Sequence, residues 1–408
     1  MAPSAPPPFD ADAGAACNEP SGKAAHEPAS GCSSVCSSVC SSGADECSSR
    51  RGASIQSRAS ELAAGRPPLR VVFMGTPDFA VTILNRLLEA PHVAVAAVYT
   101  QPDRRAGRGQ KLVPPPVKSL ALERGLPVLQ PAHFKADPDG DAAFAALGAF
   151  EPDALVVAAY GMILPQRVLD IPRLMPVNVH ASLLPKYRGA APIQRAVMAG
   201  DAVTGVTIMR MEASLDAGPI LMQRAVGIDI NDTSGSLHDE LAQEGADLLV
   251  QALERLSAGT LAAMPQNEEL ATYAPKITKA EGLIDFSLSP AALHARIRGL
   301  TPKPGAFMYL HRQGHEPLAV QVGPGVFPLG RAMKEMVDSY LSYRVSRNPA
   351  RSSILGVVDG ALLLTAGEGC YAFSSLKPAG KNAMDGLAFY NGYLNGVPGA
   401  FFAGREEV

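Results

Sequence analysis

The stretch Leu69-Arg-Val-Val-Phe-Met-Gly-Thr-Pro-Asp78 decides the fold, because a short apolar run leads directly into a turn and a helix start. The first seven residues predict a buried strand. Asp78 is available as a helix cap, and the apolar residues that follow it recur at helical spacing. The stretch therefore predicts an α/β domain whose order begins at Leu69.

The same alternation continues toward the carboxyl end of the chain. Further apolar runs predict strands over residues 92–100, 127–129, 154–159 and 177–180. Helical segments fall between them, for example over 117–124. Strands that alternate with helices predict a Rossmann-like domain with a mostly parallel sheet covered on both faces, which we place at residues 67–272. Reactive side chains gather at the carboxyl ends of the strands of such a sheet.

The sequence changes character after residue 272. Residues 273–279 (YAPKITK) are interpreted as a linker. Short apolar runs separated by Gly and Pro turns follow, and they are typical of a small β-rich domain. We therefore expect a C-terminal, OB-like β-barrel over residues 280–395 and a short tail over 396–408.

Residues 1–66 are rich in Ala, Pro, Ser, Gly and Cys and nearly lack aromatic residues. Such a segment cannot bury enough apolar surface to offset its ordering entropy, which predicts a disordered low-complexity tail. Its acidic residues are unusual for a transit peptide, so we expect a cytoplasmic protein, with an organelle matrix as the alternative. The cysteines in this tail lack the paired spacing of common zinc modules, and we expect no metal.

The bulk composition excludes some functions. The 408 residues include 36 Lys and Arg against 39 Asp and Glu, with a formal net charge of −3. A near-neutral protein is not coated in basic charge, although a local basic patch can still bind nucleic acid. No apolar run is long enough to predict a membrane span.

The strongest chemical signal is the pair Asn178 and His180 near the end of a predicted strand. Residues two apart on a strand share one face. An amide can hydrogen-bond a developing oxyanion, and an imidazole can move a proton near neutral pH. The pair suits acyl transfer, and the alternative is a structural pair at a strand end.

A carboxylate, Asp216, lies in the segment 214–220 (SLDAGPI). Beside His180, it would stabilise an imidazolium and hold the orientation of the ring. An aspartate before a glycine is also a common turn residue, so spacing alone leaves both interpretations open.

Residues 100–112 predict a basic loop that carries Arg104, Arg105, Arg108 and Lys111 with glycines between them. Flexible basic loops suit phosphate backbones or single-stranded nucleic-acid ends. A solvated surface loop is the alternative interpretation. Arg104, Arg108 and Lys111 are the candidate nucleic-acid-binding residues of this loop.

These motifs occur with several others in a fixed order between about residues 69 and 390. The ordered motifs are Phe73-x-Gly-Thr-Pro-x-Phe-Ala80, Gln101-Pro-Asp-Arg104, Ala159-Tyr-Gly161, Asn178-x-His-x-Ser-Leu-Leu-Pro185, Arg188-Gly-Ala-Ala-Pro-Ile-Gln194, Thr204-Gly-Val-Thr207, Leu215-Asp-x-Gly218 and Lys377-Pro-Ala-Gly-Lys381. Together they resemble the methionyl-tRNA formyltransferases. Residues 314–351 match no motif of that family, and we interpret them as an insertion in the barrel.

The resemblance implies direct formyl transfer from 10-formyltetrahydrofolate to the free amino group of methionyl-initiator tRNA, without a covalent enzyme intermediate. Asn178 would polarise the formyl carbonyl and hold the oxyanion. His180 would assist it, and Asp216 would pair with His180 and help to take the proton of the attacking amine.

The resemblance also implies the binding sites. Ser182, Leu183, Leu184 and Pro185 would line the folate site, with backbone groups contacting the pterin. The loop around Arg108 would wedge into the acceptor end of the tRNA, and the barrel with its linker would hold the acceptor arm. We expect a monomer with no membrane partner.

Three alternatives remain open. Another folate-dependent formyltransferase, or a formyl-folate hydrolase or dehydrogenase, would share Asn178, His180 and Asp216 but would not need the basic loop. A noncatalytic tRNA-binding protein would be expected to lose these three residues first. A nicotinamide enzyme is disfavoured because the turn after the first strand lacks the G-x-G-x-x-G loop.

Overall fold

The computed structural model describes residues 67–106, 109–331, 333–335, 338 and 351–405. The predicted disordered tail of residues 1–66 lies outside this part of the chain. Arg66–Val408 form one compact unit. Its strands, in chain order, are β1 Leu69–Gly75, β2 Val93–Tyr99, β3 Arg104–Ala106, β4 Lys111–Val113, β5 Val128–Leu129, β6 Ala154–Ala158, β7 Met175–His180, β8 Val203–Arg210, β9 Ile220–Gly227, β10 Ala306–His311, β11 Leu318–Val322, β12 Arg351–Ser352, β13 Ile354–Val358, β14 Ala361–Ala366, β15 Gly369–Phe373, β16 Leu376–Pro378 and β17 Phe401–Ala403.

The helices connect and cover these strands. In chain order they are α1 Asp78–Glu89, α2 Pro116–Glu123, α3 Pro138–Gly148, α4 Gln166–Leu169, α5 Pro192–Ala199, α6 Ser234–Ala258, α7 Pro290–Leu300 and α8 Gly386–Phe389, with short turns of 3-10 helix at Glu268–Leu270 and Lys279–Gly282 and a π-helical turn at Tyr390–Leu394. We expected Asp78 to cap α1, but Pro77 occupies the cap position. Asp78 lies in the first turn of the helix, where its negative charge interacts favourably with the helix dipole.

A seven-stranded sheet forms the N-terminal part, with the order β5-β2-β1-β6-β7-β8-β9. Its first five strands pair in parallel, whereas β8 pairs antiparallel with both β7 and β9 and is the one reversed strand of this sheet. The predicted α/β class with a mostly parallel sheet is confirmed. The antiparallel direction of β8 was not predicted, because its six central residues are all buried and therefore show no alternation.

The two faces of this sheet bury different side chains, which fixes the direction of the candidate site. Val177 and Val179 of β7 belong to the core that also contains α1 and α6 residues. Tyr99 and Tyr160 belong to the core on the other face. Because successive strand residues alternate, Asn178 and His180 point toward the face of Tyr99, at the carboxyl end of β7.

The C-terminal part contains two antiparallel sheets, with the orders β12-β17-β10-β11-β16 and β13-β14-β15. Both edge strands of the larger sheet continue along the chain into edge strands of the smaller one, β12 into β13 and β15 into β16. The sheets thus enclose one core in a barrel-like arrangement, with Met308, Leu364, Tyr371 and Phe402 fully buried.

The structure corrects two sequence predictions for this part. The predicted tail over 396–408 supplies β17, which pairs with β10 and β12 and buries Phe402. The stretch 314–351, interpreted as an insertion, includes β11, so residues 318–322 form an inner strand between β10 and β16, whereas residues 339–350 lie outside the described part of the chain. Each strand is only three to five residues long. Such short apolar runs carry a weak strand signal, and pairing with neighbours stabilises them in the fold.

The two parts pack against each other mainly through α5 and α7. Gly299 of α7 lies so close to α5 that an added Cβ would be 2.4 Å from the Met198 side chain. Arg195 of α5 is 2.6 Å from the Glu281 carboxylate, and both side chains are about one-fifth exposed, at 20% and 19%. Hydrogen bonds from Arg195 lower the pKa of Glu281 to about 2.

We expect Glu281→Gln to lower the free energy of unfolding by about 1–2 kcal/mol at pH 7. The folded pKa of Glu281 lies below its ordinary value of 4.5, so its stabilisation is present above pH 4.5 and is lost as the pH falls toward 2. Urea unfolding at several pH values should therefore show the two proteins converging in acid. A difference that stays constant from pH 7 to pH 3 would contradict this account.

Candidate active site

The carboxyl end of β7 presents the side-chain amide of Asn178, which has no hydrogen-bond partner in the described part of the chain. Asn178 lies opposite Val157 of β6 and Met209 of β8 in the sheet, so its backbone is fixed from both sides. Its side chain is half-buried, and within the described residues the amide makes no hydrogen bond. A fixed amide with free donors is suited to bind a carbonyl oxygen of a ligand.

His180 and Asp216 lie together beside it, although 36 residues separate them in sequence. The Nδ1 atom of His180 is 3.7 Å from Oδ2 of Asp216, and their side chains are 7% and 15% exposed. Nε2 of His180 is 2.9 Å from the Tyr187 carbonyl oxygen. Since a carbonyl only accepts, Nε2 carries the hydrogen and Nδ1 is left to face the carboxylate. The ring is thus oriented to exchange a proton on the Asp216 side.

Asp216 adopts an unusual backbone conformation in the loop between β8 and β9. Its φ is +49°, which is uncommon for a residue with a side chain. The Gly189 N–H donates to Oδ2 of Asp216 at 2.8 Å. Gly218 is required two residues later, since a Cβ there would lie 2.0 Å from the Arg210 carbonyl oxygen. The Asp-x-Gly spacing therefore serves to bring the carboxylate back toward β7.

The segment predicted to bind folate, residues 182–185, forms several hydrogen bonds within the protein. Thr207 accepts from the Leu184 N–H at 3.1 Å and donates to the Ser182 carbonyl at 2.7 Å. The Ser182 hydroxyl donates to the Lys186 carbonyl, and the Leu184 side chain packs in a small buried cluster. Leu183 and Pro185 are half-buried. The Leu184 N–H is already used in its bond to Thr207, whereas the Ser182 carbonyl oxygen has a second lone pair that could accept a further hydrogen bond.

The predicted basic loop forms a two-stranded hairpin, β3–β4, after the end of β2. Arg104 and Lys111 are exposed, and Arg104 donates to the Gln101 side-chain oxygen. Arg108 lies outside the described residues. Leu112 on the same hairpin is 65% exposed. The structure therefore places a basic hairpin with an exposed apolar side chain at the carboxyl end of the sheet, where the predicted site also lies.

Two groups near the site were not identified from the sequence. The Tyr187 carbonyl and the Gly189 N–H hold His180 and Asp216. The one sequence signal for them is the glycine at 189, where φ is +119°. Burial and a hydrogen bond to Asp201 raise the pKa of Tyr187 to about 12, so its hydroxyl stays protonated.

Among the described residues, no group of three or more His, Cys, Asp or Glu side chains could hold a metal ion. None of the described helices is both long enough and apolar enough to cross a membrane.

The Rossmann-like sheet carries an amide, an imidazole and a carboxylate at its carboxyl end. The family described as "Formyl transferase" matches residues 69–253, and "Formyl transferase, C-terminal domain" matches residues 276–394, so the chain is a formyl transferase. More specifically, as its relatives show, the chain belongs to the methionyl-tRNA formyltransferase family.

Its relatives support this membership along most of the chain. The methionyl-tRNA formyltransferase of Nitratidesulfovibrio vulgaris (strain DP4) is 49% identical over 333 residues, which cover 81% of this chain and 95% of the relative. That of Pseudomonas fluorescens (strain Pf0-1) is 46% identical over 324 residues, covering 79% and 93%. A crystal structure of a HypX variant from Aquifex aeolicus shares the fold, with a TM-score of 0.51 and 16% identity over 81% of this chain and 48% of that one.

Proposed function

We propose that the protein transfers a formyl group from 10-formyltetrahydrofolate to the free amino group of methionine on initiator tRNA. Two relatives with this name are 49% and 46% identical to the chain. The observation that supports the chemistry is the 3.7 Å distance from His180 to Asp216, beside the amide of Asn178, which makes no hydrogen bond among the described residues.

In the proposed reaction the amine attacks the formyl carbon and a tetrahedral intermediate forms. Asn178 donates to the oxygen as it gains negative charge, and the His180 imidazole assists this stabilisation and the movement of the proton. Asp216 accepts the proton that the amine loses, directly or through one water. Collapse breaks the bond to N10 of the folate, which takes up a proton, and leaves the formyl group on methionine. No step needs a covalent bond to the protein.

We propose that folate binds at the segment Ser182, Leu183, Leu184 and Pro185, and that these residues have two different roles. The buried Leu184 side chain and the bonded Ser182 hydroxyl shape the loop. The half-buried Leu183 and Pro185 are the members that can offer apolar surface to a ring. The folate itself is a co-substrate, and we propose no metal in the reaction.

For tRNA we propose the β3–β4 hairpin, with Arg104, Arg108 and Lys111, together with the C-terminal domain over residues 280–395. We further propose a cytoplasmic location, since the relatives are bacterial methionyl-tRNA formyltransferases. The expected monomer also remains a proposal.

An acceptor panel tests this proposal against the nearest alternatives. The protein should formylate methionyl-initiator tRNA from 10-formyltetrahydrofolate and leave N-acetylmethionyl-tRNA unreacted, since its amine is blocked. Amino sugar nucleotides and glycinamide ribonucleotide serve as competing acceptors. Faster transfer to one of these acceptors would contradict the proposed substrate. Hydrolysis of the formyl-folate without an acceptor would contradict the proposed transfer reaction.

The hairpin gives a prediction about tRNA affinity. Arg104→Ala/Lys111→Ala should raise KM for the tRNA by about tenfold and leave folate binding unchanged, because each charge would contact phosphate. The dependence of tRNA binding on salt should also become shallower. Arg124→Ala, at the far end of α2, is the matched control with one exposed basic side chain. Wild-type KM and salt slope in the double variant would identify the hairpin as a solvated surface.

A further inference from the structure

The tripeptide Tyr187-Arg188-Gly189 touches both acid–base residues at once. The Tyr187 carbonyl accepts from His180, and the Gly189 N–H donates to Asp216. The distance between His180 and Asp216 therefore depends on where this tripeptide lies. Gly189 permits the approach, since a Cβ there would be 2.9 Å from the Ala274 carbonyl oxygen.

Arg188 anchors the tripeptide from inside the protein. It is 2% exposed, and its guanidinium donates to both carboxylate oxygens of Glu268 at 2.8 and 2.7 Å. The same guanidinium donates to the Gln266 side-chain oxygen at 3.1 and 2.8 Å. The Arg188 N–H also donates to the Thr272 carbonyl at 2.8 Å. Backbone and side chain together fasten residues 187–189 to the segment that follows α6.

Gln266 connects this anchor to the loop of Asp216. Its amide nitrogen donates to the Asp216 carbonyl at 2.8 Å and to the Gly218 carbonyl at 2.7 Å. Asp216 is therefore held at its side chain by Gly189 and at its backbone by Gln266. A residue with a side chain and a positive φ is strained, and this conformation persists only where its surroundings enforce it. Gln266 supplies that enforcement.

We propose that Arg188 and Gln266 are positioning residues that set the geometry of the His180–Asp216 pair. They do not contact the reacting groups in the proposed mechanism. A buried arginine is a poor source of stability, because its desolvation offsets much of the pairing energy. Its fork geometry is well suited to fix two acceptors, Glu268 and Gln266, in relation to one another. This inference rests on the proposed function, in which the pair handles the amine proton.

Gln266→Glu distinguishes the bond that Gln266 accepts from Arg188 from the bonds that it donates to the loop of Asp216. The carboxylate still accepts from Arg188, but it cannot donate to the Asp216 and Gly218 carbonyls. We expect kcat to fall about 10- to 100-fold, because a small misplacement of a catalytic group costs that much. KM for both substrates should stay within about twofold, and the pH at half-maximal kcat should move. Unchanged kcat and an unchanged pH profile would overturn the proposal.

Arg188→Lys tests the other half and has a matched control. Arg195 is also bound by two nitrogens to a glutamate, Glu281, and to the Pro275 carbonyl, yet it touches neither His180 nor Asp216. Arg188→Lys should lower kcat at least about tenfold, whereas Arg195→Lys should lose stability with kcat near wild type. Equal losses of kcat in the two variants would overturn the proposal, since general loosening would then explain both.

A readout that needs no activity keeps this proposal separate from the proposed function. Nitrogen-15 NMR of the His180 ring reports the environment of Nδ1, which faces Asp216. Gln266→Glu should shift the Nδ1 signal and leave that of a distant ring, His294, in place. If the wild type formylated no methionyl-tRNA, the proposed function would be wrong. The shift of the Nδ1 signal would still show whether Gln266 sets the geometry of the His180–Asp216 pair. Identical His180 spectra in both proteins would overturn it.

Discussion

Asn178→Ala is expected to lower kcat by about a hundred- to a thousandfold, the cost of one lost oxyanion donor. The Asn178 amide is held on β7 between two strands and has no protein partner within the described residues. Its donors are therefore already oriented, and the enzyme need not break a bond to use them. Because the oxygen gains charge only during the reaction, the loss should appear in kcat and leave folate affinity nearly unchanged.

Asn178→Asp is the sharper variant, since it keeps the shape and replaces the donors with negative charge. It should be at least as inactive as Asn178→Ala. Asn85→Ala on α1, far from the site, serves as the control for a lost asparagine and should keep full turnover. Near-wild-type kcat in Asn178→Ala would remove this residue from the mechanism, whatever its position on the strand.

His180 and Asp216 should lose activity as a unit. Each single alanine variant is expected to lower kcat by about a hundred- to ten-thousandfold, as losses of a general acid or base do. The double variant should be little worse than the worse single variant, because residues that act together are not additive. Their 3.7 Å separation and their low exposure of 7% and 15% are the physical basis for that coupling.

The control cycle combines His180→Ala with Asp239→Ala, whose carboxylate is 87% exposed and pairs with a different histidine. That double variant should match His180→Ala alone. If the fold-losses in kcat of the two single variants multiplied to give that of the double variant, His180 and Asp216 would act independently. This result would contradict their proposed coupling in catalysis.

Much of the sheet could be predicted from the sequence, for a physical reason. The strands β1, β2 and β6 are apolar runs bounded by turns, and burial on both faces requires this pattern. The strand β17 was missed because a buried Phe402 in a three-residue strand gives little periodic signal. The basic hairpin was predicted as a loop, since its exposed strands depend on pairing with each other and not on burial.

Some residues of the site could likewise be predicted from the sequence, whereas others could be found only in the fold. Asn178 and His180 follow from the two-residue period of one strand, which is local. The approach of Asp216 depends on the antiparallel pair β8 and β9, and no local pattern fixes their direction. Gln266 is 50 residues from Asp216 in sequence and lies in a segment without regular structure, so its bonds to the Asp216 loop could be found only in the fold.

The most direct test of the central claim is a single-turnover reaction of the wild-type protein with methionyl-initiator tRNA and labelled 10-formyltetrahydrofolate. Rapid quenching followed by separation of protein, tRNA and folate would show where the label is at each time. Direct transfer predicts that label leaves the folate and appears on methionyl-tRNA at the same rate, with none on the protein. Label that accumulates on the protein, or never reaches the tRNA, would contradict the account.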